Sequence, residues 1–165
     1  MSVLEEPVSD EILGNIRDCA ADCLELLGSQ FTADHPARLV DAIDNFTYRL
    51  QKGDATASAS FEDTEDAGLI LGSLWGQQLV KQFGWQWAKV TLHDDGNAVM
   101  FGVVSPDRSL AIYPFEFVEQ CLNDARIDCT IMLSFNMLLD AGIPQMDAGS
   151  YTNVMDGIHR IVPRG

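Results

Sequence analysis

Gly84 separates two kinds of periodicity, and that break limits the fold more than any other feature of the chain. Before it, the residues from Phe61 follow a helical pattern in which Gly68, Gly72 and Gly76 stand four apart. After it, residues 85–113 alternate with period two, as half-buried strands do. A glycine inside a helix costs roughly 1 kcal/mol against alanine, so three on one helix require a compensating gain. Spacing of four keeps them near one face, where the missing β-carbons leave a shallow groove. Close packing of this helix on a strand or a neighbouring helix is the favoured reading. The rival is a groove that admits a ligand or a partner's backbone.

The alternating stretch reads as a three-stranded antiparallel meander. Asp95-Gly96 supplies a tight first turn. That register sets Leu92 opposite Val99, Val90 opposite Phe101 and Ala88 opposite Val103, giving one apolar face. Ser105-Pro106-Asp107-Arg108 supplies the second turn. Pairing Val104 with Ser109 then brings Leu110 beside Val103 and Ile112 beside Phe101. The glycine-bearing helix is expected to cover this face. Trp85, Trp87 and Lys89 fall on the opposite one, as a second packing layer or a partner site.

Flanking segments are helical. Ser9 suits an N-cap before the stripe Ile12, Ile16, Cys19, Cys23 and Leu26, and Gly28 suits its end. A second helix follows Asp34, with Pro36 in its first turn and a stripe of Leu39, Ile43, Phe46 and Leu50. Together these predict an antiparallel hairpin over residues 1–52. Small polar residues 53–60 read as a mobile linker, leaving residues 61–165 as an α+β core within a single domain. Pro114 opens a fourth helix, a fifth runs from about Asp128 to Ala141, and residues 150–161 form a short last one. The fold class expected is thus α+β: helical hairpin, glycine-bearing helix on a meander, C-terminal helices.

Composition removes several function classes. With 165 residues and 47% hydrophobic content the chain builds its own core, and no apolar run approaches the ~20 residues of a membrane span. A net charge of -15, with only 10 scattered Lys and Arg, argues against a nucleic-acid partner. It suits a basic protein partner. The first ten residues lack the basic start of a secretory leader, so the chain reads as cytoplasmic, and its four cysteines as buried reduced thiols.

Motifs for chemistry are sparse. His35, His93 and His159 share no ligand spacing, there is no phosphate-binding glycine loop, and Asp94-Asp95 lacks a calcium-loop pattern. No metal, cofactor or catalytic residue is assigned. The acids Glu62, Asp63, Glu65 and Asp66 meet the positive end of the glycine-bearing helix, and Glu116 and Glu119 stand near the start of the fourth, where the dipole makes carboxylates ordinary.

The stretch Ala67–Val118 carries Gly68-Leu69-Ile70-Leu71-Gly72, Trp75-Gly76, Gly84-Trp85-Gln86-Trp87 and Val104-Ser105-Pro106. Through these short motifs it resembles a bacterial family of uncharacterised domains in which a glycine-bearing helix precedes a Trp-containing strand and a short meander. That resemblance implies no chemistry. The functional expectation is a noncatalytic acidic protein-binding domain of the immunity or adaptor kind, with Trp85, Trp87, Lys89, Glu62, Asp63, Glu65 and Asp66 as contacts. The alternatives are a small enzyme or small-molecule binder with a pocket between the glycine-bearing helix, the sheet and the C-terminal helices, and a homodimer.

Overall fold

A computed structural model describes residues 2–28 and 35–161, without the side chains of residues 157 and 159–161. Asp34 and the side chain of His159 lie outside the described residues. The fold is α+β. In chain order it runs β1 (Val3–Pro7), α1 (Asp10–Leu27), α2 (Pro36–Gln51), α3 (Ala55–Ser58), α4 (Thr64–Phe83), β2 (Gln86–Leu92), β3 (Ala98–Val104), β4 (Leu110–Ile112), α5 (Pro114–Asn123), α6 (Ile131–Leu139), β5 (Thr152–Asn153) and α7 (Val154–Ile161). The sheet has the order β1-β2-β3-β4-β5, antiparallel except for the parallel β4–β5 pair.

α4 is the hub. Ala67, Leu71, Ser73, Leu74, Trp75, Gln78 and Leu79 are all buried, so the helix is covered around most of its circumference, by α1, α2 and α5 and by the sheet. Its glycines serve two neighbours. A β-carbon on Gly68 would lie 3.1 Å from the Phe115 carbonyl oxygen, and one on Gly72 would lie 3.0 Å from the Phe115 backbone nitrogen, both on α5. On Gly76 it would run into the Trp87 indole and come within 3.2 Å of Val103, both in the sheet.

The sheet register differs from the sequence expectation by one residue, and the consequence is large. Leu92 pairs with Ala98, Val90 with Met100, Ala88 with Gly102 and Trp87 with Val103. The cause is a five-residue loop in place of the two-residue turn Asp95-Gly96: a 3-10 turn over His93–Asp95 is followed by Gly96 at φ 66° and Asn97 at φ 60°. A slip of one turns every side chain of β2 over relative to β3. Trp87 therefore shares the inner face with Val103 and Ile112, beneath α4. Ala88, Val90, Val104 and Ala111 form a second small core on the outer face, under Tyr113. Trp85 and Trp87, expected on the reverse of the sheet, are inward and only 6% and 9% exposed.

The second turn is also longer than expected. Val103 pairs with Ile112 and Val104 with Ala111, a shift of two that preserves the faces. Asp107 accepts from the Ser109 amide at 2.9 Å and its hydroxyl at 2.7 Å, and Arg108 sits at φ 59°. These local bonds favour the wider loop over a four-residue turn.

Three further expectations are corrected. α1 and α2 dock on α4 rather than mainly on each other, so the expected hairpin is joined through a third helix. The expected mobile linker 53–60 contains the capped helix α3: Asp54 accepts from the Ala57 amide at 3.0 Å and pairs with Arg49, and Ala57 is buried. The N-terminus adds the edge strand β1, and the segment leading into α7 is the two-residue β5.

Cross-element hydrogen bonds close the helix ends. Gln51 Nε2 donates to the Cys121 and Ile127 carbonyls at 2.9 and 2.7 Å, tying α2 to the end of α5. Asp44, on α2, accepts from the Met132 amide at 2.8 Å and so caps α6. The described cysteines are all free.

Candidate functional site

α5 begins where the sheet ends, and that junction creates the site. Tyr113 lies against Gly102 of β3: a β-carbon there would come within 2.6 Å of Tyr113 Cδ1. The tyrosine is 4% exposed and its hydroxyl has no hydrogen-bond partner among the described residues. Burial, followed by the carboxylate of Glu116, Tyr151 and Asp156, pushes this phenol up to about 12. One turn into α5, Glu116 Oε2 is likewise buried and unpartnered. Burial pushes its carboxyl up, its own backbone amide opposes, and Glu119 adds to the rise.

Both groups line one recess of about 40 Å³, closed by Met100 from β3, Phe117 and Gln120 from α5, and Asn153, Met155 and Asp156 from β5 and α7. A buried polar atom without a partner costs about 1–3 kcal/mol, so two of them on residues that line one small recess single it out. Neither Lys, Arg nor His is among its described lining residues.

The recess adjoins an open groove of about 380 Å³ on the solvent face of α5, lined by Glu116, Glu119, Gln120, Asn123, Asp124 and Ile127. Glu116 and Gln120 belong to both. Asp124 is held by Arg126 at 3.0 Å. A second groove, of about 210 Å³, lies near the start of α4: Leu50, Phe61, Ala67 and Leu122 contribute its apolar surface and Glu62 and Asp63 its charge. Because α4 and α5 run antiparallel with Gly68 beside Glu119, the acids at the start of α4 reach the field of α5. Glu119 is pushed up by burial, then by Glu65 and Asp63.

The expected contact residues thus divide into two groups. Glu62, Asp63, Glu65 and Asp66 stand at the α4 start, where Asp63 accepts from the Asp66 amide at 2.8 Å and Asp66 from the Glu62 amide at 3.3 Å. Trp85 and Trp87 are in the interior, where Trp87 stacks on Phe115 with ring centroids 5.5 Å apart and Trp85 meets Phe83 at 6.1 Å. Lys89, half-buried, sits in the sheet between Glu6 and Phe101. Glu116, Glu119 and Tyr113 are the residues that the structure adds. The available signal was a tyrosine directly before Pro114 and two glutamates soon after it; the sequence places the tyrosine on the sheet and leaves the glutamates to the helix dipole.

Among the described residues no group of three or more His, Cys, Asp or Glu side chains is disposed to hold a metal, and no helix is long and apolar enough to cross a membrane. His35 is exposed at the start of α2, and His93 Nδ1 lies 2.8 Å from Asn97 Oδ1 within the first hairpin loop. Compared with known proteins, the chain matches no family model, no curated protein and no solved structure.

Proposed function

We propose that the protein is a noncatalytic binding domain for a basic protein partner, of the immunity or adaptor kind. One observation carries this reading: Glu62, Asp63, Glu65 and Glu119 gather where α4 and α5 meet, beside two grooves with apolar surface and, among the described residues, no basic lining residue. A net charge of -15 would steer a cationic partner toward such a surface. Apolar residues Phe61, Leu122 and Ile127 in the groove walls suit a segment that alternates basic and hydrophobic side chains.

The test is binding of an amphipathic Lys/Arg-rich peptide at low and at high salt, comparing the native chain with the triple variant Glu62→Gln, Glu65→Gln and Glu119→Gln. Affinity should fall with salt and by about tenfold or more in the variant, the loss of more than one close charge pair. Absence of binding, or binding indifferent to salt and to the three substitutions, rejects the reading. Within the small-molecule alternative, the recess at Tyr113 is the observation that bears on it.

A further inference from the structure

We propose that the recess between Tyr113 and Glu116 is a binding site for a primary ammonium group. The inference rests on the buried recess and is independent of the groove reading, because a small amine can enter while the grooves are empty.

Three features select the ligand. First, the two unpartnered atoms define the hydrogen bonds it must complete. Glu116 Oε2 offers only lone pairs when ionised, and the Tyr113 hydroxyl, buried to 4% exposure, offers both a lone pair and a proton. An ammonium carries three donors and no acceptor, and so complements a carboxylate and a phenol on two residues that line one recess, with Asp156 beside them. Second, the charge is one-signed. Glu116 and Asp156 line the recess, Glu119 stands in the next turn of α5, and no cation is among the described lining residues. An anion is repelled, and a neutral ligand leaves the carboxylate uncompensated.

Third, size and donor count discriminate among cations. About 40 Å³ holds an ammonium head, and a quaternary ammonium has no N–H to give. Met100, Phe117 and Met155 wall the same space with thioether and aromatic surface suited to a short alkyl stem. That chemistry is shared by a free alkylamine and by a lysine side chain presented by a protein.

The experiment titrates the full chain with n-butylammonium, with a glycine-flanked lysine peptide and its lysine-acetylated form, and with 1-butanol and tetramethylammonium. Calorimetry and the methyl NMR signals of Met100 and Met155 report occupancy. Saturable binding in the millimolar range is expected for the ammonium ligands alone. Glu116→Gln should weaken it about tenfold and Tyr113→Phe several-fold, as loss of a charged and of a neutral partner implies. Binding of butylammonium without the peptide assigns the site to free amines, and binding of the peptide without butylammonium assigns it to a presented lysine. The proposal is overturned if neither binds, if butanol or the acetylated peptide binds equally well, or if both variants bind like the native chain. Should a variant fail to fold, the methionine signals in the native chain still decide, because an empty recess leaves them unmoved.

Discussion

The indole of Trp87 occupies the space that a β-carbon on Gly76 would need. This relationship joins the two periodicities on either side of Gly84. The glycine thins α4 where it crosses the sheet, and the one-residue slip of β2 turns the indole inward to meet it, stacked at the same time on Phe115 of α5. Helix, sheet and α5 are keyed by one aromatic side chain, which fixes where α5 starts and so where Tyr113 and Glu116 stand.

Gly76→Ala should therefore destabilise the protein. Alanine gains helix propensity of roughly 1 kcal/mol, but its methyl group has to displace a packed indole, and overpacking of this kind costs about 1–3 kcal/mol. Gly14 of α1 is the control, since a β-carbon there meets nothing nearer than the end of the Arg17 side chain, at 3.7 Å. Gly14→Ala should raise stability by up to about 1 kcal/mol. Urea melts of the two variants should move in opposite directions.

Trp87→Ala should behave as a core deletion, with a loss of about 3–5 kcal/mol. A partner-contact residue would instead leave the urea midpoint near that of the native chain. Equilibrium unfolding thus separates the interior placement of this indole from a surface one.

Much of the helical framework was legible because its signals are local. Ser9 accepts from the Ile12 amide as a cap, Pro36 and Pro114 open their helices, and Gly84 ends α4 at φ 70°. The sheet faces were not legible, because they depend on whether the loop holds an even or an odd number of residues, which Asp94-Asp95-Gly96-Asn97 does not reveal: two adjacent left-handed residues, Gly96 and Asn97, allow the longer loop as readily as the two-residue turn. β1 escaped notice because Val3–Pro7 holds two glutamates and a proline, the composition of a protected edge. The recess escaped because its members come from residues 100 to 156 and meet only after folding.

Glu5 makes β1 and the second hairpin turn interdependent. Arg108 Nε and Nη2 donate to its two oxygens at 2.8 and 3.0 Å, and Tyr151 Oη donates at 2.8 Å. The Arg108 hydrogen bond chiefly holds the Glu5 carboxyl below its ordinary value, against the desolvation that opposes it. A carboxylate lowered on folding contributes stability above its unfolded pKa, near 4.5, and loses it as the pH falls through the lower folded value. Glu5→Gln should cost about 1–2 kcal/mol at neutral pH and remove this part of the acid sensitivity. Paired urea midpoints from neutral to acid pH measure both.

Glu116 should show the opposite sign. Its folded carboxyl holds the proton more tightly than the unfolded one, chiefly because burial penalises the charged form. Such a group favours the folded state most at low pH, and that contribution declines as the pH rises from the ordinary value, 4.5, through the raised folded one. Above the raised folded value the ionised, unpartnered carboxylate is a burden on the fold. Glu116→Gln should consequently stabilise the protein by about 1 kcal/mol there and flatten that part of the pH profile, while Tyr113→Phe, which deletes an unpaired hydroxyl and keeps the ring on Gly102, should be neutral or gain a similar amount. Both gains in one chain would mark the pair as a place where stability is given up, as happens where side chains are held for a ligand. Thermal melts at neutral pH check this directly: a clear loss of stability in both variants would mean that Tyr113 and Glu116 are satisfied structural groups, and the recess would then have nothing left to offer an ammonium ion.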